Sequence, residues 1–84
     1  MTNGLEDENG WWWLSFCDPH KPKGKQFLGV LILEGPSFEE ALTRSHLLGL
    51  NPGGEIRAIE IPAEHLPSAE YRTRLLTRKE AETL

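Results

Sequence analysis

Four stretches of the chain carry a hydrophobic pattern, and each predicts one element. Trp11-Trp12-Trp13-Leu14-Ser15-Phe16 holds every tryptophan of the protein and reads as a strand ending near Cys17. Successive strand side chains point to opposite faces. Trp12, Leu14 and Phe16 then share one face, and Trp11, Trp13 and Ser15 share the other. The first set is a core face. The second places two large aromatics where a small domain normally shows polar residues.

Gln26 to Glu34 is the second strand, with Phe27, Gly29, Leu31 and Leu33 on one face and Leu28, Val30 and Ile32 on the other. Apolar residues on both sides predict a central strand covered twice. A helix accounts for one cover. The other needs a second layer, for which a partner subunit is the simplest source. Ser37-Phe38-Glu39-Glu40 has the spacing of a capping box and starts a helix running from Phe38 to about Leu48. Phe38, Ala41, Leu42, Ser45 and Leu48 fall on one face of it. Gly49 fits the left-handed position that ends a helix, with Leu50 as the apolar residue after it. Glu55 to Ile61 is the third strand, closed by Pro62.

The remaining stretches are connections and ends. Residues 1–10 are polar and acidic, and predict a disordered tail ahead of a single domain over 11–84. Asp18 to Lys25 holds two prolines and a glycine, so it is an exposed loop between antiparallel strands. Residues 63–68 read as an irregular or single-turn segment limited by Pro67, and Tyr71 to Thr77 as extended. Thr77-Arg78-Lys79-Glu80 repeats the capping-box pattern and predicts a short C-terminal helix, with Leu75, Leu76 and Leu84 as docking residues. The predicted fold class is α+β: a small ββαβ domain with a three-stranded, mainly antiparallel sheet, one packed helix and a short C-terminal helix.

Composition narrows the function classes. In 84 residues with a formal net charge of −4, the chain lacks the basic surface of a general nucleic-acid binder. A small phosphorylated ligand remains compatible, because such a site needs only a few local donors. One cysteine allows no intrachain disulfide, and no Cys/His spacing suits zinc, so no metal is expected. The lone thiol, with no signal-like leader, points to a reducing cytoplasm. No apolar run approaches the roughly 18 residues of a membrane span.

Three constellations could carry chemistry. Asn51-Pro52-Gly53-Gly54-Glu55 has two glycines whose amides can form an anion-binding nest, although an ordinary helix-to-strand turn is the plainer reading. The loop with Asp18, His20, Lys21, Lys23 and Lys25 offers phosphate contacts or a solvated surface. Trp11 and Trp13 each bury on the order of 150–250 Å² when covered, so the pair approaches the roughly 300–600 Å² of a typical monomer's largest apolar patch. The C-terminal segment, a second subunit or a flat-ringed ligand are the candidate covers. No nucleophile–base pair, paired carboxylates or cofactor fingerprint stands at a motif spacing, so an enzyme is not expected.

Trp12-Trp13-Leu14-Ser15-Phe16 with Asp18, Phe27-Leu28-Gly29-Val30, and Gly49-Leu50-Asn51-Pro52-Gly53-Gly54-Glu55 together resemble a group of small bacteriophage and prophage proteins. In these a WWLSF-like strand, an FLG strand and an NPGGE-like loop recur in this order. The resemblance spans about residues 11–61 and implies a phage protein acting in the host cytoplasm. Such proteins are often anti-defence factors, and one class looks similar in design: oligomeric sponges that sequester the nucleotide signals of bacterial immunity. Carried over by class, this implies a homo-oligomer without cofactor that binds a small nucleotide. Trp11 or Trp13 would stack the base, Asn51 and the Gly53 and Gly54 amides would hold phosphates, and Arg72 or Arg74 would neutralise them. The competing expectation is an inhibitor that docks an exposed aromatic patch on a host enzyme.

Overall fold

The computed structural model describes residues 9–84. The expected tail therefore lies, apart from its last two residues, outside the described residues. The elements are β1 (Gly10–Cys17), β2 (Phe27–Gly35), α1 (Phe38–Leu47), β3 (Glu55–Ile61) and α2 (Arg78–Glu82). Single 3-10 turns at Ala63–His65 and Ala69–Tyr71 bridge β3 to α2. This is the predicted α+β domain: a three-stranded antiparallel sheet, one main helix and a short C-terminal helix.

The strand order is β2-β1-β3, so the tryptophan strand is the central one. That corrects the expectation that β2 lies in the middle. The apolar pattern of β2 was sound, since Val30, Leu31, Ile32 and Leu33 are all buried. Its cover comes from elsewhere. Leu76 pairs with Val30 in both directions (Leu76 N–H to Val30 O 2.7 Å, Val30 N–H to Leu76 O 3.2 Å), and the Thr73 N–H donates to the Ile32 carbonyl at 2.9 Å. The C-terminal segment thus protects the outer edge of β2 and supplies the second layer. No partner subunit is needed for that.

The two faces hold separate cores. On the α1 side, Leu14, Phe16, Leu31, Leu33 and Ala41 are buried, with Trp12, Leu50, Ile56 and Ala58 packed around them. On the other side, Val30, Ile32 and Leu76 are buried, and Trp11, Trp13, Leu66, Tyr71 and Ala81 pack against them. Phe27 departs from its expected face. A register shift lets Cys17 pair with Phe27 while Phe16 pairs with Gly29, so Leu28 is the extra residue of a bulge. Leu28 joins the α1-side core and Phe27 turns to the opposite face. Gly29 makes this feasible: its φ is +147°, and a Cβ there would lie 2.6 Å from Leu75 Cδ1.

The Ser37 cap forms as half of the expected box: among the described residues Glu40 makes no hydrogen bond back to the Ser37 N–H. Ser37 Oγ accepts the Glu40 N–H at 3.2 Å. At the other end the Gly49 N–H reaches His46 O and the Leu50 N–H reaches Ser45 O, with Gly49 at φ +71°, which is a Schellman closure. Leu50 packs into the α1-side core, whereas Leu48, expected on the packed face, is the C-cap residue and is 48% exposed. In α2 the capping box is complete in both directions between Thr77 and Glu80.

Candidate functional site

The seven residues expected to form one ligand site sit in four places. Trp11 and Arg72 come together: the guanidinium carbon lies 5.1 Å from the indole centroid, and Arg72 Nε donates to Pro67 O at 2.7 Å. This cation–π contact contributes on the order of 0.5–2 kcal/mol and occupies that ring. Arg74 points elsewhere. Its Nε donates to Glu70 O at 2.8 Å and its Nη2 to Glu80 Oε2 at 2.9 Å. That hydrogen bond raises the Arg74 pKa and, together with the Thr77 amide, lowers that of Glu80. Arg74 is thereby part of how α2 is pinned.

The glycine loop lies at the far end of the sheet. Gly54 sits against the Cys17 carbonyl, and Cys17 is six residues along β1 from Trp11, about 20 Å at the usual strand rise. Within the loop, Asn51 Nδ2 donates to Ser45 Oγ at 2.9 Å and its Oδ1 accepts the Gly53 N–H at 2.7 Å. The amide expected to face an anion is therefore engaged by its own loop. Gly53 and Gly54 have φ of +86° and +80°, and a Cβ on Gly54 would run into the Cys17 carbonyl oxygen. The need for glycine at these positions is steric.

Trp13 is the expected site residue that borders open space. It pairs in register with Ile32 of β2 and Ile59 of β3, so its ring forms a ridge along the face opposite α1. One cleft of about 340 Å³ runs on the β3 side, lined by Trp13, Ile59, Ile61, Pro62, His65 and Leu84. Ile59 is 65% exposed and Leu84 46%. The outer edge of β3 has no strand beside it among the described residues. A second cleft of about 370 Å³ lies on the β2 side of Trp13, with Ser15, Phe27, Arg78 and Glu82 in its lining.

Sequence reasoning missed Ile59 and Arg78, and it read Leu84 as a docking residue of the C-terminal helix, whereas Leu84 is 46% exposed at the cleft. Ile59 was detectable, because Ile59 and Ile61 repeat at the strand period on the face that also carries Trp13. Arg78 was not, because its place depends on Phe27 changing faces at the bulge. Among the described residues, no group of three or more His, Cys, Asp or Glu side chains could hold a metal ion, and no helix is long and apolar enough to cross a membrane. A scan against protein-family models, a search of curated proteins and a search of solved structures each returned no match to this chain.

Proposed function

We propose that this protein acts by docking on another polypeptide through the Trp13–Ile59 face, without chemistry of its own. One observation carries the reading: an edge strand with no strand on its outer side among the described residues runs beside an apolar cleft, and the large side chain between them, Ile59, is 65% exposed. An extended partner segment would add to β3 through main-chain hydrogen bonds and seat an apolar side chain against Trp13. Edge strands in small proteins are normally blunted by charge, proline or bulges. β3 carries Glu55, Arg57 and Glu60, but its Ile59 and Ile61 leave the cleft side apolar. In the setting implied by the phage resemblance, such a partner would be a host protein.

This reading is the second of the two expectations formed from the sequence. The nucleotide-sequestering expectation asks for aromatic, glycine-loop and arginine contacts at one place; within one copy Trp11 and Arg72 meet, while the glycine loop lies at the Cys17 end of β1, so sequestration would need a second copy to complete the site. A native mass spectrum of the protein purified from cells in which it acts tests the choice. A stoichiometric polypeptide partner, lost in the Ile59→Lys variant, is the expected result. A retained small-molecule mass with no partner would replace docking by sequestration. A symmetric oligomer lost with the same variant would make a second copy of this chain the partner.

A further inference from the structure

The β2-side cleft has a chemistry of its own. Trp13 and Phe27 supply two aromatic rings to its lining, Val30 closes its floor as a buried residue, and the Ser15 hydroxyl stands beside Trp13 on the ridge. Arg78 lies over the Phe27 ring with its guanidinium carbon 5.3 Å from the centroid. Among the described residues the ion pair present is Arg74–Glu80, so Arg78 has no carboxylate partner. Among the described residues, no hydrogen bond uses the side chain of Arg78 or Ser15. Glu82 is the opposing charge in the lining.

We infer that this cleft binds a small planar anion: an aromatic ring bearing a single carboxylate, sulfonate or phosphate group. The ring lies against Trp13 and Phe27, where offset or edge-to-face contact is favourable. The anion meets the Arg78 fork, which is planar, permanently charged and suited to two parallel hydrogen bonds. Phe27 pre-orients that fork from beneath, so little rotamer freedom is lost on binding. Ser15 offers one further donor to the ring's substituents. Glu82 is a like charge at the rim and weakens binding of every such anion, a phosphate monoester more than a carboxylate or sulfonate. The inference uses the opposite flank of Trp13 from the proposed docking face, and it stands or falls independently of it.

Titration with naphthyl phosphate, followed by amide and indole NMR shifts, is the test. The expected result is saturable binding with shifts centred on Ser15, Phe27, Arg78 and the Trp13 indole. Arg78→Gln, whose side chain is exposed and outside the hydrogen-bond network, should keep the fold and weaken binding about tenfold, the scale of one charge-assisted contact. Glu82→Gln should tighten it a few-fold. Naphthol, the neutral twin, should bind more weakly and equally to the wild type and Arg78→Gln. Equal affinity of naphthyl phosphate for the wild type and Arg78→Gln, no binding at millimolar concentration, or shifts centred on Ile59 and Leu84 would each overturn the inference. Ile59→Lys, which removes the docking face, should leave this titration unchanged.

Discussion

The two faces of the sheet are built from the same strand by simple alternation, yet they are covered in different ways. On one face a ten-residue helix with a complete C-terminal closure lies over Leu14, Phe16, Leu31 and Leu33 and leaves all four essentially buried. On the other face a segment of turns, one bridge and a five-residue helix covers only the β2 half. Trp11 and Trp13 are both half-buried: Arg72 lies over the Trp11 ring, whereas Trp13 borders two clefts. A regular helix spreads its apolar stripe across two strands. An irregular segment covers only the residues it touches. The uncovered half is where binding is proposed.

Core truncation should separate the faces most strongly. Leu14→Ala or Leu31→Ala should cost about 2–5 kcal/mol in chemical denaturation, because each leaves a cavity under the helix. Trp12, whose Nε1 donates to Gly35 O at 3.0 Å, should cost about 3 kcal/mol when replaced by alanine. Trp13→Ala should cost only about 1 kcal/mol. A loss for Trp13→Ala equal to that for Leu14→Ala would erase the distinction between a core face and a binding face.

Gly54→Ala should come next, at about 1–3 kcal/mol, from a left-handed residue pressed on the Cys17 carbonyl. Unchanged melting of that variant would return the loop to the list of binding elements.

The half-covered face should also contain a removable strain. Thr73 is the one described non-glycine residue with positive φ, at +59°, and it is β-branched. It turns the chain so that Leu76 meets Val30. Thr73→Gly should stabilise by up to about 1 kcal/mol, the relief being partly offset by the freer unfolded chain. Ile59→Lys should move stability by no more than about 0.5 kcal/mol while abolishing partner binding. If it unfolds the protein, β3 belongs to the core and not to a docking surface.

The smallest effect concerns acid. The hydrogen bond from Arg74, followed by that from the Thr77 amide, holds the Glu80 carboxyl below its ordinary range. A lowered native pKa means the contribution is complete above the ordinary glutamate range. It disappears as pH falls through the native value. The Thr77 and Glu80 amide signals should follow that titration before the α1-side core responds, and Glu80→Gln should remove the dependence.

How much of this was legible beforehand differs by element. The Ser37 and Thr77 caps, the Gly49 closure and the limits of β3 are local hydrogen-bond and backbone chemistry, and the sequence carried them to within a residue. The parity of β1 was equally legible, since a period of two needs no partner to be read. Strand order was not, because apolar residues on both faces of β2 look the same whether a strand or a C-terminal segment lies beside it. The bulge at Leu28 reversed Phe27, and a single inserted residue leaves no mark on composition. Gly29 was its one visible trace.

By itself, then, the sequence determined that Trp12 shares a face with Leu14 and Phe16 and that Trp11 and Trp13 share the opposite one, because alternation is a property of the strand alone. Only the tertiary structure decided that Arg72 covers Trp11, that Trp13 borders two clefts, and that the glycine loop lies at the Cys17 end of β1. Those outcomes depend on where a distant segment docks and at which end of a strand a loop emerges. Contacts between residues some sixty positions apart are set by the packing of the whole chain, which no local pattern encodes.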